Sequence, residues 1–554
     1  MKLELPAISE AERTPLVQQL LGVIDAQQQR IAELEEKLAQ LRDDNAILKG
    51  LKPRPKITPS QLEAPPPKPP PAPGGKRPGS AKRSKNASFV NPIEVRIPFP
   101  DPPPGSSSKA FEEYFVQELL ITTKVTRYLR ERVVTPDGHS LLAPLPDGVP
   151  PGSHFGANLI AFLLHQHFGC NVTQPLLHRQ MRQMGIDISA GQINRILTEG
   201  HGSFHQEKAE VLTVGLQTAG YVGVDDTGAR HGGHNGFCTA IANDLFACFE
   251  STDSKSRLNF LAVMRGGSTA YAINEVALAY WKMQELSDGL IGALQGGPSH
   301  FADEAAWKKR LVEVGINCER LTRIATEGAV LGQVVEQGVR AELVVLSDGA
   351  AQFDVLLHAS CWIHAERPLA RMTPYNELHR AEIERLREQI WQLYRDLKAY
   401  RAEPEPGLVA GLQARFDALV EQKTEYSSSR AVLKEMKAHK EDLLRVLLRP
   451  EVPLHNNGTE SDIRCYVKVR KVSGSTRSDE GRRCRDTFTS LKKTCAKLGV
   501  SFWEYLNDRV RRRGQVPRLG ELIRHKAQQK QEQKQTAGQA QAASPEAVGC
   551  GAAR

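Results

Sequence analysis

The chain lacks any apolar run approaching the ~20 residues that a membrane-crossing helix requires, which argues against a helical membrane protein. Its first residues, MKLELPAISEAERTP, lack the charged-then-apolar shape of a secretory leader. It also lacks paired cysteines. The nine cysteines are scattered, at 170, 238, 248, 318, 361, 465, 484, 495 and 550, and none forms a C-x-x-C pair. That spacing indicates neither a zinc ribbon nor a disulfide framework, and a reducing cytoplasm is the simplest setting. What the chain does have is length: 554 residues suggest three or four domains at ~150 residues each.

Positive charge is abundant but unevenly spread. The net charge is +9, yet residues 461–526 alone hold 18 Lys/Arg against 7 Asp/Glu, so the rest of the chain is slightly acidic. A concentrated basic segment points to a polyanion as partner.

Residues 15–50 carry a 3,4 repeat. Ile24, Ile31, Leu38 and Asn45 fall at a positions; Leu20, Gln27, Leu34, Leu41 and Leu48 fall at d positions. Four heptads with one polar a residue predict a short parallel coiled coil and hence a homo-oligomer. A Pro-rich, then basic, stretch at 52–108 cannot bury a core and reads as a linker, with Lys76, Arg77, Lys82, Arg83 and Lys85 open to a DNA backbone or to solvent alone. Alternating Val, Ile and Thr at 115–138, closed by TPDG, predict a hairpin. Helical spacing over 155–212 includes a turn at Gly185 and a cap at Ser189, which is helix-turn-helix spacing.

From residue 220 the period changes. GYVGVDD, FCTAIAND and LFACFEST predict a three-strand meander, followed by a helix near 255–264. AELVVLSDGA predicts a fourth strand, covered on both faces and ending at Asp348. Residues 376–448 read as a helical insertion. Helix resumes at Glu460, and the Gln/Ala-rich end at 527–554 predicts disorder. The stretch 265–340 is rich in helix signals but has no assigned role. The resulting domain plan is 1–51 coiled coil, 52–108 linker, 109–150 hairpin module, 151–215 helical DNA-binding-like domain, 216–510 α/β domain, and 511–554 a basic, then disordered, tail.

Three acids stand out: Asp225 at the end of one strand, Asp348 at the end of another, and Glu460 opening a basic helix. Locally, Asn457 can cap that helix with Glu460 reaching back to it, and an acid there also suits the helix dipole. As a set, buried acids are costly unless they share a cation, and carboxylate oxygens suit a pair of Mg²⁺ (or Mn²⁺) ions. Arg464 and Lys468 lie one and two turns beyond Glu460 and, with Arg470 and Lys471, form a candidate DNA-binding face. Asp226 is an alternative to Asp225, because neighbours on a strand point to opposite faces. Cys361 and His364 have the spacing of half a metal site, but no second half is visible. His364 therefore reads as packing or hydrogen-bonding near the three acids.

Four stretches resemble the transposases of the insertion sequence sixty-six family: PLLHRQMRQMGIDIS, GVDDTGAR, LSDGAAQFDVL with ASCWIHAERPLARM, and PLHNNGTESDIR, in that order. The resemblance implies a ribonuclease H-like catalytic domain, a mixed sheet flanked by helices, of the two-metal DDE type. By motif it assigns catalysis and metal binding to Asp225, Asp348 and Glu460, with Asp226 at the family's glutamate position. It implies cleavage and transfer of DNA strands at terminal inverted repeats, target DNA as a second partner, accessory transposition proteins in many relatives, and a bacterial, nucleoid-associated setting. Two departures are visible. Ser461 stands where the family has arginine, and the 115–138 region has no cysteine where the family carries a zinc module. A ribonuclease H-like nuclease and a non-catalytic DNA-binding relic are the alternatives.

Overall fold

The computed structural model describes residues 14–48 and 93–542, except 108–110, 113, 117, 147–148, 150–151 and 153. The basic linker lysines and arginines at 76–85 and the last twelve residues lie outside this set.

Helix α1 (Pro15–Leu48) carries the 3,4 repeat, and its Leu20, Ile31, Leu34 and Leu38 are exposed. Leu41, Asn45 and Leu48 have no described side chains. The predicted hairpin is shorter and later than its alternation suggested. Strands β1 (Arg132–Val134) and β2 (Ser140–Leu142) flank TPDG, which forms the turn between them rather than the end of the motif. Residues 118–131 before them form no strand and are exposed.

The helical segment consists of α2 (Ala157–Leu164), a π-turn at His165–Gly169, α3 (Gln174–Gln183), α4 (Ala190–Thr198) and α5 (Gly202–Thr218). Ser189 caps α4 by accepting from Gln192 N at 3.1 Å, and Gly185 supplies the left-handed turn before it, at φ +75°.

The sheet follows: β3 (Tyr221–His231), β4 (His234–Ala242) and β5 (Ala247–Thr252) form an antiparallel meander. Gly232 and Gly233, both at positive φ, make the two-residue β3–β4 turn between His231 and His234. Helix α6 (Arg257–Met264) leads into the segment without an assigned role. It holds β6 (Tyr271–Ala272), α7 (Glu275–Met283), α8 (Asp288–Gln295), β7 (His300–Phe301), α9 (Glu304–Glu313) and α10 (Glu319–Glu336). Buried Trp281 and Trp307 fill it, and Tyr271 stacks on Trp307. It shares one continuous core with α2–α5 and with one face of the sheet, so it is packing for the sheet's helical layer.

Strand β8 (Val344–Ser347) then enters beside β3, parallel to it, and β9 (Leu357–Ser360) adds parallel to β8. The order β5-β4-β3-β8-β9 makes a five-stranded mixed sheet. Val345 faces the large core while Val344 and Leu346 face a second cluster with Val452, which is why β8 reads as an uninterrupted apolar run.

The helical insertion consists of α12 (Glu377–Ala402), α13 (Val409–Val420), α14 (Ser427–Ala438) and α15 (Lys440–Leu443), reached through α11 (Trp362–Arg371). Its core is separate and includes Trp362, Leu386, Ile390 and Phe416. The chain returns as α16 (Asn457–Ser473), α17 (Asp479–Leu498), α18 (Phe502–Arg511) and α19 (Leu519–Ala542). The last corrects the expectation of disorder from residue 527 as far as Ala542. Leu519 and Ile523 are fully buried and Ala527 nearly so, and α19 packs on α5. Gln and Ala, which suggested disorder, are also good helix formers once a helix is anchored.

Candidate active site

Strand alternation decides which acid faces which helix. Val222 and Val224 point into the large core. Cys238 and Ala240 on β4 point the other way, against Ile463 and Tyr466 of α16. Gly223 shares the α16 face: a Cβ there would press on Thr459 Oγ1 and lie 2.5 Å from Asn456 Oδ1. Asp225, two residues on, therefore shares the side of the sheet on which α16 and Glu460 lie. Asp226 points oppositely, where it accepts from Thr239 Oγ1 at 2.6 Å and from Gln352 Nε2 at 3.2 Å.

Asp348 reaches the same level through β8. The parallel register pairs Gly223 with Leu346, and both acids lie two residues farther along. Asp225 does not end its strand as predicted. β3 runs six residues further, to His231, and what ends near Asp225 is its pairing with β8. Asp348 is exposed just past β8, and its Oδ1 accepts from Ala350 N at 3.1 Å.

Glu460 lies in the first turn of α16, but it does not act as a cap. The cap position is Asn456, with no side-chain cap bond, and Glu460 Oε1 is buried without a hydrogen-bond partner. Two side chains flank its carboxylate more loosely: His364 Nε2 is 3.6 Å from Oε1 and the Arg464 guanidinium is 3.7 Å from Oε2.

Electrostatics tie the three acids together. Burial pushes the Asp225 carboxyl up to about 6. The Asp226 backbone N–H, 2.8 Å from Oδ1, opposes this, and the charges of Asp348, Glu460 and Asp226 add to it. His364 is shifted down by burial and by Arg367, against the pull of Glu460 and Asp348.

A divalent cation would suit this donor set: a buried, unbonded carboxylate oxygen and a carboxyl destabilised by burial and by neighbouring carboxylates are what such an ion would relieve. Among the described residues, no three His, Cys, Asp or Glu side chains are drawn together tightly enough to enclose an ion.

The four predicted DNA-binding residues divide. Arg464, Lys468 and Lys471 are exposed along α16. Arg470 is turned inward, with NH1 bonded to Gly228 O and 3.5 Å from Thr227 Oγ1, so it fastens α16 to β3. Among the described residues no helix is long and apolar enough to cross a membrane.

Sequence reasoning missed Asn456, which is buried and donates to Val224 O at 2.7 Å. The signal was the first Asn of HNNG, which lies inside the stretch PLHNNGTESDIR but was given no role of its own. The model of the Transposase IS66 family matches residues 332–483, which run from α10 through β8, the insertion and α16 into α17. An uncharacterized protein of Sinorhizobium fredii, y4jO, is 38% identical over 321 residues, 57% of this chain and all of that protein. The chain belongs to the IS66 transposase family. As a family member it is expected to act on DNA, and the matched region holds two of the three acids, Asp348 and Glu460.

Proposed function

We propose that this IS66-family chain is a DNA transposase of the DDE type, built on a ribonuclease H-like domain, that cleaves and transfers strands at the terminal inverted repeats of its element. The observation that carries this reading is the electrostatic meeting of Asp225 with Asp348 and Glu460, three acids far apart in sequence. The sheet supports it, because an antiparallel meander continued by two parallel strands suits that fold.

Asp225, Asp348 and Glu460 would hold two Mg²⁺ (or Mn²⁺) ions. When bound, such a pair lowers the pKa of an attacking hydroxyl and offsets charge on the leaving oxygen of a phosphodiester. The chain's own work is positioning. Gly223 and Asn456 let α16 approach β3, which brings Glu460 to Asp225. Arg464, Lys468 and Lys471 present an exposed basic face leading away from the acids, suited to the phosphates of element ends and target. The exposed apolar stripe of α1 suits self-association through residues 15–50, and accessory transposition proteins are compatible with this arrangement.

The test uses full-length protein and linear DNA carrying the element ends. Asp225→Asn and Glu460→Gln should retain gel-shift binding and lose Mg²⁺-dependent cleavage and strand transfer. Cleavage that survives both substitutions would remove the carboxylate mechanism. Wild-type binding without Mg²⁺-dependent nicking would leave the non-catalytic relic.

A further inference from the structure

The helical insertion is fastened to the sheet beside Asp348. Trp362 Nε1 donates to Leu443 O at 2.8 Å, and Arg445 Nε donates to His358 O at 2.9 Å. Along this seam three side chains from three elements form a line. Ser347 Oγ on β8 is 2.8 Å from His358 Nε2 on β9, and His358 Nδ1 is 3.0 Å from Asp442 Oδ2 on α15.

One set of proton positions satisfies all three side chains. Gly349 N donates to Ser347 Oγ at 3.0 Å, so the hydroxyl proton is free to go to His358 Nε2. Nδ1–H then donates to Asp442.

Serine, histidine and aspartate in this order also serve nucleophilic catalysis. Burial excludes that here: Ser347 has 0% exposure and no substrate can reach its oxygen. Its hydroxyl acts on the next turn instead. Gly349 sits at φ +95°, in a conformation that favours glycine. Between Ser347 and Gly349 stands Asp348. The insertion also walls the site directly: a cleft of about 90 Å³ is lined by Asp348 and His364 on one side and by Glu435 and His439 of the insertion on the other.

We propose that Asp442, His358 and Ser347 form a positioning relay through which the helical insertion holds the Asp348 turn in the shape that binds metal. It rests on the functional reading above, in which Asp348 is a ligand. These are positioning residues: Ser347 and His358 are buried, and Asp442 acts through them. Groups that orient a metal ligand typically matter by about 10–100-fold in metal affinity or activity when removed.

The experiment is a Mg²⁺ titration of strand cleavage by full-length protein, with thermal melting and amide hydrogen exchange of residues 348–353. Ser347→Ala and Asp442→Leu should raise the half-saturating Mg²⁺ by about 10-fold or more and speed exchange at Gly349. Asp442→Asn, which keeps an oxygen to accept from Nδ1–H, should shift it less. Glu421→Gln, in an exposed ion pair of the insertion with Lys437, serves as the unshifted control. A purely structural role would lower the melting temperature without moving the Mg²⁺ midpoint, and that result in Ser347→Ala overturns the relay. If Asp442→Leu does not fold, Ser347→Ala, which loses one oxygen, decides alone. Absence of cleavage by wild type defeats the functional reading instead. Exchange then judges the relay: unchanged protection of Gly349 in both variants overturns it.

Discussion

Asn456 Nδ2 donates to the carbonyl of Val224 at 2.7 Å, tying the start of α16 to the residue before Asp225. The Asn456 backbone N–H is held as well, by Cys361 Sγ at 3.4 Å. The approach is close because Gly223 has no side chain, so the packing of the start of α16 on β3 rests on a glycine and an amide.

Asn456→Ala should therefore cost more than an ordinary surface substitution. It leaves the buried Val224 carbonyl unpaired, worth about 1–3 kcal/mol, and should lower cleavage further than binding. Gly223→Ala should act from the other side, since its new Cβ would meet Thr459 and Asn456 and force α16 outward. Adding Thr459→Ala should recover part of the loss, because Thr459 is the closer obstacle. Urea unfolding with cleavage assays on the single and double variants measures this. Equal stability and activity in Gly223→Ala would show that the helix has slack.

Much of this arrangement was legible from residue pattern. Ser189 as cap, the apolar run of β8, the meander and the insertion each express a local rule: a side-chain acceptor before a helix, burial on both faces, alternation, or 3,4 spacing. The three acids were singled out by their placement beside such elements. The long extension of β3 past Asp225 was not legible, because GARHGG looks like turn chemistry until β4 pairs with it. Nor was β9, four residues long, or the inward turn of Arg470, whose partner carbonyl lies 242 residues away. The order of α19 was misread because its anchoring residues, Leu519 and Ile523, precede the polar stretch that suggested disorder. Asn456, Ser347 and His358 escaped notice for a common reason: their roles are hydrogen bonds across the tertiary structure, and one-dimensional spacing does not encode them.

The division of the basic residues on α16 makes a second prediction. Lys468→Ala with Lys471→Ala should weaken binding evenly across DNA sequences and flatten the salt dependence by about 0.9 for each phosphate no longer neutralised. Arg470→Ala should behave differently. It releases the bond to Gly228 O, so it should lower the melting temperature and leave the salt slope nearly intact. Binding isotherms at several salt concentrations separate the two. A slope change in Arg470→Ala as large as in the double variant would place its side chain on DNA.

The helical segment carries a prediction about acid. His205 lies between α5 and α17, with Nδ1 2.8 Å from Thr487 Oγ1. Burial pushes its pKa down to about 4, helped by the positive charges of Arg483, His201 and Lys208. In the unfolded chain it returns to roughly 6.5. Above that value both states are neutral and the histidine leaves stability unchanged. Between about 6.5 and 4 the unfolded state takes up a proton that the folded state refuses, so stability falls as pH falls through this window and levels off below it. His205→Gln keeps an amide for Thr487 but cannot titrate, so the gap between variant and wild type should widen in the variant's favour from pH 7 to pH 4. His167 and His201, also shifted down by burial, contribute the same sign and remain in both proteins, so the difference curve reports His205 together with its coupling to His201. Denaturant unfolding at half-unit pH steps measures it, and parallel curves would mean that His205 is already free to protonate in the folded protein.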